Sequence, residues 1–305
     1  MASTVFSVSI TYNPDIELLD RQIDSLLDQV QCIVIVDNGS RNVEFLKEYL
    51  ERKQREVNHI FIVVYNAKNM GLGYSQNAGI KVAINKGATD VLLLDQDSVL
   101  QGGFIKNLIE TRAQLEAEHV RIGAMGPVYY NERTNQTYPI TKYWGPFIQK
   151  LKTKEKAVEV SYLISSGCFI STNVIKDIGL MNEDLFIDCI DIDWSFRAQA
   201  RGYKLYASPK AIMMHIVGEE RLSIGGRSIA VHSPLRRYYL FRNSVFMVRS
   251  ENIPLGYKVR EIVFNTLRLV VYFSVSKDRM KYLKYGISGF RDGLSGKGGE
   301  CTHKF

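Results

Sequence analysis

The sequence predicts an α/β fold in which a mixed, mostly parallel central sheet is flanked by helices. In the first hundred residues, short apolar runs alternate with longer amphipathic segments. The connectors between them are short, and several of the apolar runs end in polar or glycine-rich clusters. Strands that alternate with helices over short connectors are typical of right-handed βαβ units and a parallel sheet. Such sheets bind their ligands beyond the carboxyl ends of the strands.

The elements of the first hundred residues follow in order. Strands are expected at 5–10, 32–36, 60–65 and 91–94, because each run is short, apolar and rich in β-branched residues. Helices are expected at 16–29, 42–55 and 74–86, where apolar residues recur with helical spacing.

The remaining two thirds of the chain are less regular. A helix is expected at 104–118, then short strands at 122–125 and 162–170 on either side of a stretch rich in Gly, Pro, Tyr and Asn. Helices follow at 172–178 and 191–201, and a strand at 204–207. From Pro234 the chain becomes basic, aromatic and helical, and residues 293–305 are expected to fray.

Composition restricts the class of partner and the compartment. The chain has 305 residues, a net charge of +7 and a pI near 9.1, which favours nucleotides, anionic lipids or nucleic acid. Four separated cysteines without a CxxC pair, two of them in apolar runs, predict buried thiols in a reducing compartment. No apolar run reaches the roughly 18 residues of a membrane span, and the first residues are typical of a strand, not of a signal peptide. We therefore expect a cytoplasmic protein.

An acidic pair ends the fourth predicted strand. Asp95 and Asp97 follow the apolar residues 91–94 and are separated by one glutamine. Two carboxylates at a strand end suit a divalent cation that keeps open positions for phosphate oxygens. An isolated Asp-x-Asp is also compatible with an acidic turn.

Further polar clusters fall at the same predicted edge of the sheet. An aspartate there can accept hydrogen bonds from a base or a ribose, and glycines let the backbone approach a phosphate. Each cluster is also an ordinary turn sequence. The candidates for nucleotide contacts are Thr11, Tyr12, Asp37, Asn69, Gly71 and Asn77.

Three acids lie around the start of the helix predicted at 191–201, namely Asp188, Asp191 and Asp193. One of them is a candidate general base, although acids at this position also cap helices. His215 is either a metal ligand or a core histidine. The basic residues Arg236, Arg237 and Arg242 either clamp a diphosphate or form a solvated helix face.

In this order, the features resemble family 2 glycosyltransferases of the Rossmann-like GT-A fold. The resemblance covers residues 6–243 and rests on TYNP, VDNGS, NMGLGYSQNAG, LLLDQDS, FIDCIDIDW and MHIVG. The DQDS motif, FIDCIDIDW and RRYYLFRN resemble the rhamnosyltransferase branch, which uses dTDP-L-rhamnose to build bacterial cell-surface polysaccharide. The QxxRW signature of processive synthases is absent, so we expect one or a few sugars to be added per encounter.

The resemblance implies a role for each candidate. Thr11, Tyr12 and Asp37 would hold the thymidine part, and Asn69, Gly71 and Asn77 would shape the nucleotide loop. Asp95 would lie against ribose and metal, while Asp97 and His215 would bind Mg²⁺ or Mn²⁺. Asp191 would be the base of an inverting displacement, with Asp193 and Asp188 as alternatives, because the acidic residue that often precedes the base is Ile190 here.

The resemblance also implies a domain plan. Residues 1–235 would form the glycosyltransferase domain, with a nucleotide-binding half at 1–100 and an acceptor half at 101–235. Residues 236–305 would form a basic and aromatic helical segment that contacts the inner face of the membrane, caps the core or forms a homo-oligomer. The expected acceptor is a glycan or a lipid-linked oligosaccharide. Another donor, such as UDP-galactofuranose, and a non-catalytic binding module are the alternatives. Nucleic acid is not expected, since acids cluster at the ligand edge.

Overall fold

The computed structural model describes residues 3–132, 136–151, 155–214, 221–224, 227–230, 233–276 and 278–305. The helices are α1 Ile16–Leu26, α2 Val43–Glu56, α3 Leu72–Asn85, α4 Phe104–Ala117, α5 Thr172–Ile178, α6 Ile190–Ala200, α7 Pro234–Arg249, α8 Leu255–Val275 and α9 Arg279–Leu294, with a 3-10 turn at Glu183–Leu185. The strands are β1 Val5–Thr11, β2 Cys32–Asp37, β3 Phe61–Tyr65, β4 Asp90–Asp95, β5 Val99–Leu100, β6 Ile122–Asn131, β7 Gln136–Thr137, β8 Ile140–Trp144, β9 Phe147–Leu151, β10 Val158–Val160, β11 Cys168–Ser171, β12 Lys204–Met214, β13 Arg221–Ile224 and β14 Arg227–Ala230.

One large sheet organises the described residues, in the strand order β10-β12-β6-β11-β4-β1-β2-β3. The four strands β4, β1, β2 and β3 are parallel, as are β6 and β12, while β11 and β10 run antiparallel to their neighbours. The predicted α/β class with a mixed, mostly parallel sheet is confirmed.

The sheet is packed on both faces, because successive side chains of a strand point to opposite sides. In β1, Val8 packs into a core that includes residues of α3, α5 and α6. Val5 packs on the other side, with residues of α1, α2 and α4. Gly79 of α3 is needed for this packing, because a Cβ there would lie 2.3 Å from Val8 Cγ1. Strands β1 and β2 are therefore buried along their whole length, although β1 includes the serines Ser7 and Ser9.

Two strand predictions needed correction in the second half of the chain. Residues 162–167 are not a strand; β11 begins only at Cys168, after the positive φ of +83° at Gly167 ends the preceding irregular segment. Strands β6 and β12 run further than predicted, since they pair with each other in parallel up to Tyr130 and Met214. The thiols of Cys32 and Cys168 are buried in the core, as predicted.

The helices α7, α8 and α9 pack together and against the sheet domain. Ser233 caps α7, since its hydroxyl accepts the Arg236 N–H at 3.2 Å. The prediction that residues 293–305 fray is wrong: Cys301 N–H donates to the Tyr239 hydroxyl at 2.9 Å, and His303 lies 3.0 Å from Asp292. No helix in the described ranges is long and apolar enough to span a membrane. The division at residue 235 stays a prediction.

Candidate active site

The polar ends of three parallel strands meet at one edge of the sheet. Ile10 pairs with Asp95 across β1 and β4, and Thr11 pairs with Asp37 across β1 and β2. The register therefore places the acidic pair of β4 beside the loops that follow β1 and β2.

The turn that follows β4 is held from two sides. The Gln22 amide of α1 donates to the carbonyl oxygens of Asp95 and Ser98. The backbone N–H of Tyr12 donates to the Gln96 side chain at 2.8 Å. These bonds fix the backbone at Asp95 and Asp97, so both partly exposed carboxylates project from a braced turn.

Asp37 is buried and braces the loop after β2. Its carboxylate accepts hydrogen bonds from the Thr11 hydroxyl at 3.1 Å, the Ser40 N–H at 2.9 Å and the Ser40 hydroxyl. Because Asp37 is fully buried and these protein groups already bond its carboxylate, its part here is to hold the loop and not to contact a base directly. Tyr12 is exposed beside this loop, where its ring is free to cover a base.

The glycine-rich loop before α3 packs on the acidic loop of residues 186–189. Gly71 has φ +92°, and a Cβ there would lie 2.7 Å from the Phe186 ring, so only glycine fits. Asn69 shapes the turn by accepting the Gly71 N–H at 3.0 Å, and Leu72 N–H donates to the Phe186 carbonyl at 2.6 Å. The predicted nucleotide loop and the predicted catalytic loop are thus in direct contact with each other.

Asn77 plays a structural part that its position in this motif did not predict. Its amide is buried, donates to the Met181 carbonyl at 2.9 Å and to Glu183 at 2.7 Å, and accepts the Met181 N–H at 2.9 Å. Because protein partners hold both ends of this side chain, we remove Asn77 from the set of ligand contacts.

The acidic loop has a strained backbone. Phe186, Asp188 and Cys189 all have φ between +61° and +64°, a region that costs a non-glycine residue about 1–3 kcal/mol. Asn243 of α7 opposes this cost by donating to the carbonyls of Ile187 and Asp188 at 2.7 and 3.0 Å. The helical segment therefore holds the loop in its strained form.

Arg242, a predicted diphosphate ligand, belongs to the same brace. Its guanidinium is buried and donates to the carbonyls of Asp184, Leu185 and Gly299. Arg237 is also buried, with its guanidinium 4.4 Å from the centre of the Tyr272 ring. We therefore withdraw both arginines as diphosphate ligands, since neither reaches the open cavity.

The three candidate bases have different surroundings. Asp188 makes a bidentate ion pair with Arg236, at 2.9 and 3.1 Å. Asp193 is buried and pairs with Arg197 at 2.8 Å. Among the described residues, the Asp191 carboxylate accepts hydrogen bonds from backbone N–H groups alone, that of Ile192 at 2.9 Å and its own. Asp191 is thus the carboxylate of the three that lacks a cationic partner within that part of the chain.

A cavity of about 450 Å³ opens at this point, and Asp95, Asp188, Asp191 and Arg236 all line it. Burial raises the pKa of Asp191 to about 7, and the charges of Asp95 and Asp188 add to the effect. The first turn of α6 would by itself favour the charged carboxylate, so desolvation wins here. A carboxylate with a pKa near neutrality is suited to general-base work.

Four lining residues were missed as site residues in the sequence: Tyr162, Tyr257, Glu261 and Arg268. Tyr162 stacks on Tyr143, with ring centres 5.5 Å apart, and Tyr143 meets Tyr257 edge to face at 5.2 Å. No local motif marks these residues: Tyr162 lies in the irregular segment before β11, and α8 brings the other three to the cavity only through its packing on the sheet domain.

The carboxylates of Asp95 and Asp97 suit a divalent cation whose remaining coordination positions are filled by a diphosphate. Within the ranges that the structure covers, no cluster of three or more His, Cys, Asp or Glu residues is present. Asp95 and Asp97 supply carboxylate oxygens, and Mg²⁺ needs only one or two carboxylates when phosphates and water fill its remaining positions. His215, the other predicted ligand, lies outside the described residues.

Comparison with known proteins identifies the family. The model described as "Glycosyl transferase family 2" matches residues 8–179, which is more than half of the chain. The chain belongs to glycosyl transferase family 2. This glycosyltransferase is also 31% identical over 304 residues to the dTDP-rhamnosyl transferase RfbF of Shigella flexneri, and the match covers 97% of both chains. The resemblance that the motifs carried is confirmed.

Solved structures confirm the GT-A fold of this family 2 enzyme. GalNAc-T7 with UDP, GalNAc and Mn²⁺ superposes with a TM-score of 0.59 at 16% identity, over 96% of this chain and 56% of its own. Staphylococcus aureus TarS 1-349 with UDP-GlcNAc gives 0.56 at 18% identity, over 96% and 81%. The mannosyltransferase PcManGT from Pyrobaculum calidifontis with GDP-Man and Mn²⁺ gives 0.54 at 12%, over 97% and 88%. At these identities the likeness concerns the fold alone.

Proposed function

We propose that this enzyme transfers L-rhamnose from dTDP-L-rhamnose to a hydroxyl group of a cell-surface glycan, with inversion at the anomeric carbon. The full-length similarity to dTDP-rhamnosyl transferase RfbF carries the choice of donor. The acceptor we propose is a lipid-linked oligosaccharide, as the resemblance to the rhamnosyltransferase branch implies.

Asp191 acts as the base in this proposal. Its carboxylate takes the proton of the acceptor hydroxyl while that oxygen attacks the anomeric carbon. The bond from this carbon to the diphosphate oxygen breaks on the opposite face, so the configuration inverts and dTDP leaves. The support is that Asp191 lines the cavity and that burial raises its pKa to about 7. Asp188 orients Arg236 at the same cavity, where the guanidinium offsets negative charge on the leaving group.

The nucleotide lies against the strand-end loops in the proposal. Tyr12 covers the base, Thr11 and Asp37 shape its cleft, and Gly71 lets the nucleotide loop pack closely against Phe186 of the acidic loop. Asp97, with Asp95 beside it, holds Mg²⁺ or Mn²⁺. When bound there, the cation supplies positive charge that stabilises the departing diphosphate.

A donor panel tests the proposal. Transfer to a glycan acceptor and slow donor hydrolysis are compared for dTDP-L-rhamnose, dTDP-glucose, UDP-galactofuranose and a GDP-sugar, each with and without Mn²⁺. We expect product only with dTDP-L-rhamnose. Faster reaction with a UDP-sugar would assign another donor, and dTDP binding without transfer or hydrolysis would identify a non-catalytic module.

The rate is expected to depend on pH through Asp191. Since a base works only when ionised and burial raises its pKa to about 7, kcat/KM should rise with pH through neutrality and level off above it. Asp188→Asn should move this rising limb to lower pH, because it removes one negative charge that raises the pKa of Asp191. The measurement is kcat/KM for transfer between about pH 5 and pH 9; a limb that Asp188→Asn leaves in place would contradict the assignment.

A further inference from the structure

The outer face of α8 carries no charge. Every exposed residue between Leu255 and Ser274 is apolar or bears only a hydroxyl group. Leu255, Val259, Ile262, Leu267 and Val270 recur along it with the spacing of one helix face. A helix that faces water normally carries charged residues on that side. An uncharged face of this length therefore marks an interaction surface.

The β8–β9 hairpin extends the same apolar surface. At its tip, Trp144 and Phe147 are 73% and 64% exposed. The turn packs on the start of α8, because Gly256 lies against the backbone of Gly145 and the Arg260 guanidinium donates to the Pro146 carbonyl at 3.2 Å. The apolar surface is thus continuous from the hairpin to α8.

The third helix of the segment adds positive charge. On α9, Lys281, Lys284 and Arg291 are exposed, while Asp292, the helix's single acid, is buried. Residues 236–305 contain 14 Lys and Arg against five Asp and Glu, whereas the preceding residues contain 25 against 27. The positive charge of the protein is therefore concentrated in the segment that carries the apolar surface.

An apolar groove of about 270 Å³ separates the three helices. Phe241 and Val245 of α7, Ile262 of α8, and Phe290 and Leu294 of α9 line it. Ile262, Phe290 and Leu294 are also exposed, so the groove opens onto the same surface. Its largely apolar lining suits a hydrocarbon chain.

We propose that α8, α9 and the β8–β9 hairpin form a docking surface for an anionic phospholipid bilayer. The uncharged face of α8 enters the boundary between headgroups and acyl chains, Trp144 lies at the interface, and the lysines of α9 meet the anionic headgroups. A second copy of the chain is a poorer occupant, because a two-fold interface there would bring basic residues of the two copies together.

Docking in this way has a consequence for the active site. Glu261 and Arg268 of α8 line the 450 Å³ cavity, and Glu261 also borders the groove. A bilayer-bound α8 therefore holds the cavity next to the membrane surface. This step rests on the proposed lipid-linked acceptor, whereas the binding to lipid does not.

Sedimentation of the full-length protein with vesicles tests the docking surface. Vesicles of phosphatidylcholine, with and without phosphatidylglycerol, are compared at low and high salt. We expect binding to the anionic vesicles that weakens with salt. The affinity for these vesicles should fall about tenfold in Leu267→Gln with Val270→Gln. It should fall about fivefold per lysine in Lys281→Gln with Lys284→Gln.

The matched control removes two apolar side chains of similar exposure that belong to neither α8, α9 nor the hairpin, one in α2 and one just before β3. Phe45 and Ile60 are 58% and 63% exposed, close to the 55% of Leu267 and 59% of Val270. Phe45→Gln with Ile60→Gln should leave vesicle binding unchanged. This control variant and the variant Leu267→Gln with Val270→Gln should both hydrolyse donor at the wild-type rate. Equal losses of vesicle binding in the Leu267/Val270 variant and in the Phe45/Ile60 control, or no vesicle binding by the wild type, would overturn the proposal. If the wild type forms a dimer and does not bind vesicles, and if Leu267→Gln with Val270→Gln makes it monomeric, the surface would be assigned to a second copy of the chain.

Discussion

Asp191→Asn is expected to lower the rate of sugar transfer by about 10²- to 10⁴-fold, the usual contribution of a positioned general base. Asparagine keeps the shape of the side chain but cannot take the acceptor proton. Affinity for dTDP should stay close to that of the wild type, since the change removes a negative charge from the cavity and leaves the strand-end loops intact. Product formation at saturating donor, with dTDP binding by calorimetry, measures both quantities.

The two neighbouring acids serve as controls. Asp193→Asn breaks the buried pair with Arg197, so its main effect should be a lower melting temperature, with turnover retained by the folded protein. Asp188→Asn removes the ion pair with Arg236 and should reduce turnover less than Asp191→Asn does. Normal turnover in Asp191→Asn, together with a loss in either of the others, would move the base to that residue.

Removal of the metal is the second change with a large expected effect. EDTA should stop transfer, because the departing diphosphate then lacks the positive charge that a cation contributes, which is worth several kcal/mol, or about a hundredfold or more in rate. Asp97→Ala should require much more Mn²⁺ or Mg²⁺ for half-maximal activity, or show none. Titration of activity against each metal measures the effect.

Asp28→Ala provides the comparison, because this exposed aspartate just after α1 does not line the 450 Å³ cavity. It should have the metal requirement of the wild type. Full activity of the wild type in metal-free buffer would show that the acidic pair does not bind a catalytic cation.

The parallel half of the fold was predictable because its signals are local. An apolar run of four to six residues between helical patterns is enough to predict a buried strand, and the predicted strands at 91–94 and 32–36 lie within β4 and β2. The segment at 162–170 misled the prediction. Its apolar residues line cavities and a core without forming a ladder until Cys168, and composition alone does not separate these two kinds of burial.

The residues of the site also differ in how far the sequence could predict their roles. The acids at strand ends and before α6 were predictable, because an apolar run that stops at an aspartate is visible in the sequence. The burial of Arg237 and Arg242 was not predictable. A basic turn of helix has the same sequence pattern whether it faces phosphate or is buried against Tyr272 and the carbonyls of a loop. The contribution of α8 to the cavity was equally invisible.

The sequence by itself determined the family, the alternation of strands and helices, and the set of acids at the ligand edge. These properties depend on motif order and on periodicities of a few residues. Only the tertiary structure decided which acid lacks a cationic partner among the described residues, because Arg197 is four residues from Asp193 but Arg236 is 48 residues from Asp188. Packing across such separations sets the desolvation and the neighbouring charges that raise the pKa of Asp191 to about 7, and neither is encoded within one segment of the chain.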